Sequence, residues 1–430
     1  MITILDFLII LIKEVFVIGI CLSLVPVLVW LERKGAALIQ DRIGPNRASI
    51  GFLRLGGLIQ LVADSVKMFF KEDIMPTSVN KFYYYLAPFI AGMVPLMTFS
   101  VIPFADNLQI AGSRIPMQVL NIDAGFLWFF AIVSFSVYSV VLAGWASNSK
   151  FPLLGGIRAS AQMLSYEIPM GLSVIGLLMI FESIHLNDFV VQQGELMWGI
   201  IPKWGIFMQP LAFLIFTVCA FAETNRSPFD LAEGESELVA GFHTEYSSMK
   251  FGLFFMGEYI SMVVSSALIV TLFLGGWQIP YLNTNMIIEH SKILMQFSCV
   301  AGAMFSFFIS NRLNDYSKYY KDRWKDSRDK EAGIFSALTM ILGIALLATF
   351  GLVSFVELPD FISPLFAMVA QTGAFFGKIF LVCWLFVWVR WTLPRFRYDQ
   401  LMKLGWQTLM PLALINIFLT GAFLQFLGNK

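Results

Sequence analysis

The chain has 430 residues, 58% of them apolar and 13% charged, with zero formal net charge and a mean hydropathy of +0.74. A charged fraction about half that of soluble domains points to a polytopic membrane protein, and a balanced charge gives no electrostatic case for nucleic acid. Cys21, Cys219, Cys299 and Cys383 each sit alone in an apolar run and read as small core residues. With only His185, His243 and His290 beside them, widely spread, no metal-site spacing exists, and no glycine-rich phosphate motif is present. The first apolar run starts almost at residue 1 and lacks a small-residue cleavage site, so a retained helix is expected rather than a signal peptide.

Spans of about 20 apolar residues are expected at 7–31, 82–103, 126–146, 161–182, 207–222, 252–275, 293–309, 333–356, 374–392 and 409–427. The fifth and seventh are short. With the N-terminus outside, the inside loops hold twenty-three Lys and Arg and the outside segments four. That asymmetry places both termini outside and every long charged loop inside.

In chain order, the first inside loop opens with Glu32-Arg33-Lys34 and continues to Asp41-Arg42-Ile43-Gly44-Pro45-Asn46-Arg47. A positive anchor around a Gly-Pro turn and an ordered ion-pair cluster explain it equally well. Residues 58–70 are amphipathic: Leu58, Leu61, Val62, Val66, Phe69 and Phe70 fall on one side, Gln60, Asp64 and Lys67 on the other. Too short to span, this helix is expected at the interface, anchored in lipid or lining an entrance for a lipid-like ligand. Glu167 lies inside an apolar run two residues before Pro169, and its partner is expected from another helix, because Arg158 is too far along the same one.

The segment 223–245 carries Glu223, Asp230, Glu233, Glu235, Glu237 and Glu245 against Arg226 alone. Interleaved Phe229, Leu231, Leu238, Val239 and Phe242 argue against a solvated loop, and Ser227-Pro228-Phe229-Asp230 has the form of a helix start. Glu258 follows inside the next span. Together these acids form a candidate relay opening toward the inside, where crowding and burial can tune protonation. Residues 311–331 read as a charged inside loop, and Arg390 to Gln400 as an anchor or protein interface. Lys13 and Glu14, adjacent and so on different faces, have no evident role.

Glu32-Arg33-Lys34-Gly35, Asp41 to Arg47, 63–73, 158–171, 221–246, Gly257-Glu258-Tyr259 and 390–406, in this order, closely resemble the H-subunit family of respiratory complex I. The resemblance implies an all-α polytopic transmembrane fold: an eight-helix core plus about two inserted helices. Residues 1–277 would be the membrane core with its chamber loops and acidic stretch. Residues 278–373 would be an inserted transmembrane hairpin with a charged cytoplasmic loop, longer than the family pattern, and 374–430 the last two core helices. It further implies a proton-translocating NADH:quinone oxidoreductase subunit that forms a ubiquinone or menaquinone chamber with peripheral-arm subunits. In that family, Glu32, Arg33, Arg42, Arg47, Asp64, Arg158, Arg226 and Phe229 match chamber residues, and Glu167, Glu223, Asp230, Glu233, Glu235, Glu245 and Glu258 match relay residues. No redox cofactor would be bound by this chain: flavin and iron–sulfur clusters would sit in partner subunits. The place would be a bacterial inner membrane, multi-pass, with both termini periplasmic. The alternative is the equivalent subunit of a membrane-bound nickel–iron hydrogenase.

Overall fold

The computed structural model describes residues 4–110, 113–231, 241–319, 327–355 and 359–428. It is almost entirely helical. In chain order the helices are α1 Ile4–Ile39, α2 Ile59–Phe70, α3 Lys81–Phe99, α4 Gly125–Ser134, α5 Ser136–Ala146, α6 Lys150–Phe181, α7 Leu186–Gln193, α8 Gly205–Met208 and α9 Pro210–Glu223. They continue with α10 Ser248–Phe273, α11 Thr284–Glu289, α12 Ser291–Tyr319, α13 Glu331–Phe355, α14 Ile362–Thr392, α15 Tyr398–Lys403 and α16 Met410–Gly428. Two small antiparallel hairpins complete it: β1 Leu108–Ile110 with β2 Ser113–Ile115, Leu108 facing Ile115, and β3 Leu196–Met197 with β4 Ile201–Pro202.

Among the described residues nine helical segments are long and apolar enough to cross a membrane, α4 and α5 counting as one and the last running from α15 through α16. All ten expected spans fall on helices, with two differences, and the fifth is short as expected. The seventh is not short, because α12 runs for 29 residues. The third breaks at Phe135, where Ser134 turns its hydroxyl back onto the Phe130 carbonyl at 2.9 Å, a bond that competes with regular helix. The fifth, α9, has only 14 residues, about 21 Å, with Pro210 at its start.

Helix α10 is the axis of the bundle: 67% of its most apolar window is buried, against 6% for α13. Its Val263, Ala267, Leu268 and Val270 meet Phe216 of α9 and Phe386 of α14 in one continuous core. The α12–α13 hairpin packs mainly on itself at the periphery. Small residues set the closest approaches. A Cβ on Gly257 of α10 would stand 2.4 Å from the Ala91 carbonyl oxygen of α3, and one on Gly155 of α6 would stand 2.7 Å from the backbone of Gly241.

One expectation is overturned. Residues 227–230 form turns, not a helix start. Side-chain tethers win over local propensity here: Phe229 is driven into the core between Tyr166 and Phe396, and Asp230 is drawn to Arg395. Gln162 of α6 satisfies the exposed acceptors of this turn, donating to the carbonyls of Ala222 at 2.8 Å and Phe229 at 3.0 Å. The body of the acidic segment, residues 232–240, lies outside the described residues.

The Gly257 approach generates a prediction. Gly257→Val forces α10 away from α3 and costs about 1–3 kcal/mol by overpacking. Gly171→Ala on α6, with nothing within 4 Å of the added carbon, is silent. Thermal inactivation midpoints of the two variants, equal to each other, would contradict this packing.

Candidate functional site

The inner walls converge where α9 ends. Thr224 returns its hydroxyl to the Ala220 carbonyl at 3.0 Å, and Asn225, at φ 49°, takes the left-handed conformation that asparagine tolerates and that closes a helix. The chain therefore turns inward at Arg226. Its Nη1 lies 3.6 Å from Glu32 of α1, and its Nη2 lies 3.9 Å from Glu258 of α10. Its guanidinium carbon sits 4.0 Å above the ring of Tyr259. Tyr259 donates its hydroxyl to Glu32 at 2.9 Å, and Arg390 of α14 pairs with the other Glu32 oxygen. Arg226 is only 7% exposed at its side chain, Glu32 16% and Glu258 19%, so these charges compensate one another rather than water. Four elements are thus tied through two carboxylates.

Two further pairs flank this cluster. Arg395 holds Asp230 at 2.8 Å, while the Phe396 amide donates to the Pro228 carbonyl at 3.2 Å. Arg33, one residue after Glu32, pairs with Asp64 of α2, which also accepts from Gln60 at 3.2 Å.

Two cavities meet these charges. The first, about 70 Å³, lies between α3, α5, α6, α10 and the turn after α9; most of its wall is apolar, and it is the polar cavity only by the acids and hydroxyls it gathers. Glu223, Glu258 and Asn225 line it, together with the hydroxyls of Thr98, Ser136, Ser139, Ser261 and Ser265. A space that size with that many polar partners suits a few hydrogen-bonded waters. Glu167 of α6, outside this lining, lies within hydrogen-bond reach of the Ser134 hydroxyl at the α4–α5 break, an alternative acceptor to the Phe130 carbonyl. The second cavity, about 940 Å³, opens between α1, α2 and residues 243–256. Val25, Val29, Leu61, Met68, Phe251 and Phe255 make it largely apolar, with Arg33 and Asp64 on its wall. His243 faces it, packed against Phe242 and Phe251, and burial pushes its pKa down to about 4. Burial likewise raises the Tyr246 phenol.

A family model described as NADH dehydrogenase matches residues 12–316 and 332–421. This chain belongs to that family. An H-type subunit of NADH-quinone oxidoreductase from Cytophaga hutchinsonii is 42% identical over 413 residues, covering 96% of this chain and 95% of the relative. Its counterpart from Flavobacterium psychrophilum is 40% identical, covering 91% and 90%, and that from Bdellovibrio bacteriovorus is 38% identical, covering 97% and 96%.

The residues that the family resemblance singles out do not all meet. Glu32, Arg226 and Glu258 form the buried cluster; Glu223 shares the polar cavity with Glu258. Arg33 and Asp64 lie on the apolar cavity. Phe229 is a core wedge, and Glu245 accepts the Tyr84 hydroxyl through its backbone carbonyl at 2.7 Å. Arg42, Arg47 and Arg158 are exposed and make no ion pair among the described residues; Arg42 bonds to Gln40 at 2.8 Å. The turn at 41–47 is held through its backbone instead, the Lys34 ammonium donating to the Ile43 carbonyl at 3.0 Å and the Arg42 amide to the Ala37 carbonyl at 2.8 Å. Glu233, Glu235 and Glu237 lie outside the described residues. Sequence reasoning missed the roles of Arg390, Arg395 and Ser134. The first two belong to a run read only as an anchor or interface, and for Ser134 no signal existed beyond its place in an apolar run.

Two outcomes follow from this geometry. In a double-mutant cycle, Arg226→Met and Glu32→Gln each destabilise, the Arg226 change by about 3–5 kcal/mol because Glu32 and Glu258 stay buried. The double variant is less damaged than the sum, by about 0.5–3 kcal/mol; strict additivity of unfolding midpoints would refute the cluster. For His243, the folded pKa near 4 lies below the ordinary 6.5, so protons favour the unfolded state. Its share of stability is intact above pH 6.5 and is lost progressively as pH falls toward 4. His243→Phe should flatten thermal midpoints across that window relative to the parent.

Proposed function

We propose that this chain is the membrane subunit through which an NADH:quinone oxidoreductase couples quinone reduction to proton translocation. The apolar cavity beside α2 serves as the quinone's passage, completed as a chamber by peripheral-arm subunits. The polar cavity around Glu223 and Glu258 is the first carboxylate station. Supporting the coupling is one observation above all: Arg226 is shared between Glu32, adjacent to Arg33 on the apolar cavity, and Glu258 in the polar one. A change of charge near a bound quinone therefore alters the field at the relay without any large movement. The quinone, ubiquinone or menaquinone, is a substrate; flavin and iron–sulfur clusters reside in partner subunits. Glu233, Glu235 and Glu245 extend the relay, and Arg42, Arg47 and Arg158 serve peripheral docking, in keeping with their exposure. The protein spans a bacterial inner membrane with both termini periplasmic, a reading that the distribution of basic residues supports. The quinone reductase names of the relatives favour this function over that of a hydrogenase subunit.

The decisive comparison uses Glu258→Gln and Glu167→Gln in the assembled complex. Both should depress quinone reduction and proton pumping together, by about tenfold or more on the scale of a lost proton-transfer group. Electron transfer from NADH to a water-soluble acceptor that bypasses quinone should stay at the parent rate. Parental pumping in the double variant would end the relay reading. Arg42→Ala should weaken inhibitor-sensitive activity several-fold; an unaltered inhibitor response would remove Arg42 from the docking surface.

A further inference from the structure

The α12–α13 hairpin touches the rest of the chain in an unexpected way. Most of its surface faces outward, yet Glu331, the first residue of α13, is 5% exposed. Its carboxylate reaches across 277 residues of sequence to Arg54. One oxygen accepts from Arg54 Nε at 2.8 Å, while the other accepts from the backbone amides of Arg54 at 2.7 Å and Leu55 at 2.5 Å. Both side chains of the pair are 7% exposed. Lateral packing against a bundle in lipid does not need a buried carboxylate, which is costly unless its geometry serves something. A second contact lies beside it: Arg328 donates to the Arg47 carbonyl at 3.4 Å.

What Glu331 grips is the start of α2. Leu55 takes φ 49°, a conformation disfavoured for a leucine, followed by Gly56 at φ 61° and Gly57 at φ 105°. The two amides bound by Glu331 bracket the Arg54–Leu55 junction. Gly57 then packs so closely on Pro45 that a Cβ would stand 2.1 Å from its carbonyl oxygen, and Trp30 of α1 donates to the Gly56 carbonyl at 3.1 Å. Two residues later α2 begins, and its Leu61, Asp64, Ser65 and Met68 form one wall of the apolar cavity.

We propose that Glu331 is a positioning residue: through Arg54 and Leu55 it fixes the turn from which α2 springs, and so sets the width of the cavity between α1, α2 and residues 243–256. This assigns residues 278–373 a role in the site, and it rests on the reading of that cavity as the quinone's passage. The Arg33–Asp64 pair holds the middle of α2 against α1; Glu331 holds its beginning. Without Glu331, the turn loses the acceptor shared by two amides, and the start of α2 shifts while the Arg33–Asp64 pair and the Ser248 bond to the Met68 carbonyl hold its middle and end.

The test is quinone reduction by the whole complex in membranes, with a short-tailed quinone as the varied substrate. Glu331→Ala should raise the KM for that quinone about three- to tenfold with kcat within about twofold. Glu331→Gln, which keeps an acceptor for the amides but loses the ion pair, should give a smaller rise in the same direction. NADH oxidation by a water-soluble acceptor should be unaffected in both. Asp64→Asn, on the cavity wall, serves as the reference for the passage itself. If Asp64→Asn raises KM and neither Glu331 variant does, the positioning role is overturned while the passage stands. If none of the three moves KM, both fall. Should Glu331→Ala not assemble, the Gln variant decides alone, an unchanged KM counting against the role.

Discussion

Everything at the charged end of this bundle depends on where the guanidinium of Arg226 sits. It is a permanent cation withdrawn from water, and it is tolerable there because two carboxylates and one aromatic face surround it. Removing either acid leaves a buried charge in excess. The helix end at Glu223, the left-handed Asn225 and the Gln162 bonds to the following turn all serve to deliver that one group to that one place. Arg390 then joins from α14, so α14 is tied to α1 through Glu32.

The same shared cation explains how two dissimilar cavities act as one site under the proposed function. At about 4 Å and an effective dielectric constant near 20, the Coulomb attraction between two unit charges is roughly 4 kcal/mol before desolvation is counted. Two acids competing for one cation each feel a sizeable fraction of that when the other's charge changes. The apolar cavity supplies room for a lipid-soluble ring; the polar cavity supplies hydroxyls and waters. Neither has to deform for charge on one side to be felt on the other. Close packing at Gly257, which brings α3 against α10, keeps the polar cavity small.

The helices were legible because each is a run of apolar residues whose length the bilayer dictates, and that pattern survives any tertiary context. The α12–α13 hairpin was legible for the same reason. What composition could not show was where side-chain tethers override local preference. Ser227-Pro228-Phe229-Asp230 has every local mark of a helix start and forms turns, because Phe229 and Asp230 are claimed by residues more than about 60 positions away. Arg42 and Arg47 look like members of an ion-pair cluster only because acids are near in sequence; in space they face outward. The amphipathic pattern puts Asp64 on the polar side of α2, yet it turns inward to Arg33 beside Leu61, while Val62, Val66, Phe69 and Phe70 face out.

That reversal bears on what α2 does. An interfacial helix anchored only by its apolar stripe is free to slide and rotate in the plane of the membrane, since lipid contact is non-directional. Here the outward stripe is exposed and, under the proposed function, meets lipid, while the inward face supplies direction through an ion pair in its middle and a turn pinned at its start. A wall built from such a helix has a fixed position and still presents apolar residues to whatever enters from the lipid. Directional bonds on one face and solvent-like contact on the other are what an opening between membrane and protein interior requires, and α2 is the one short helix among the described residues that runs along the large cavity and combines them.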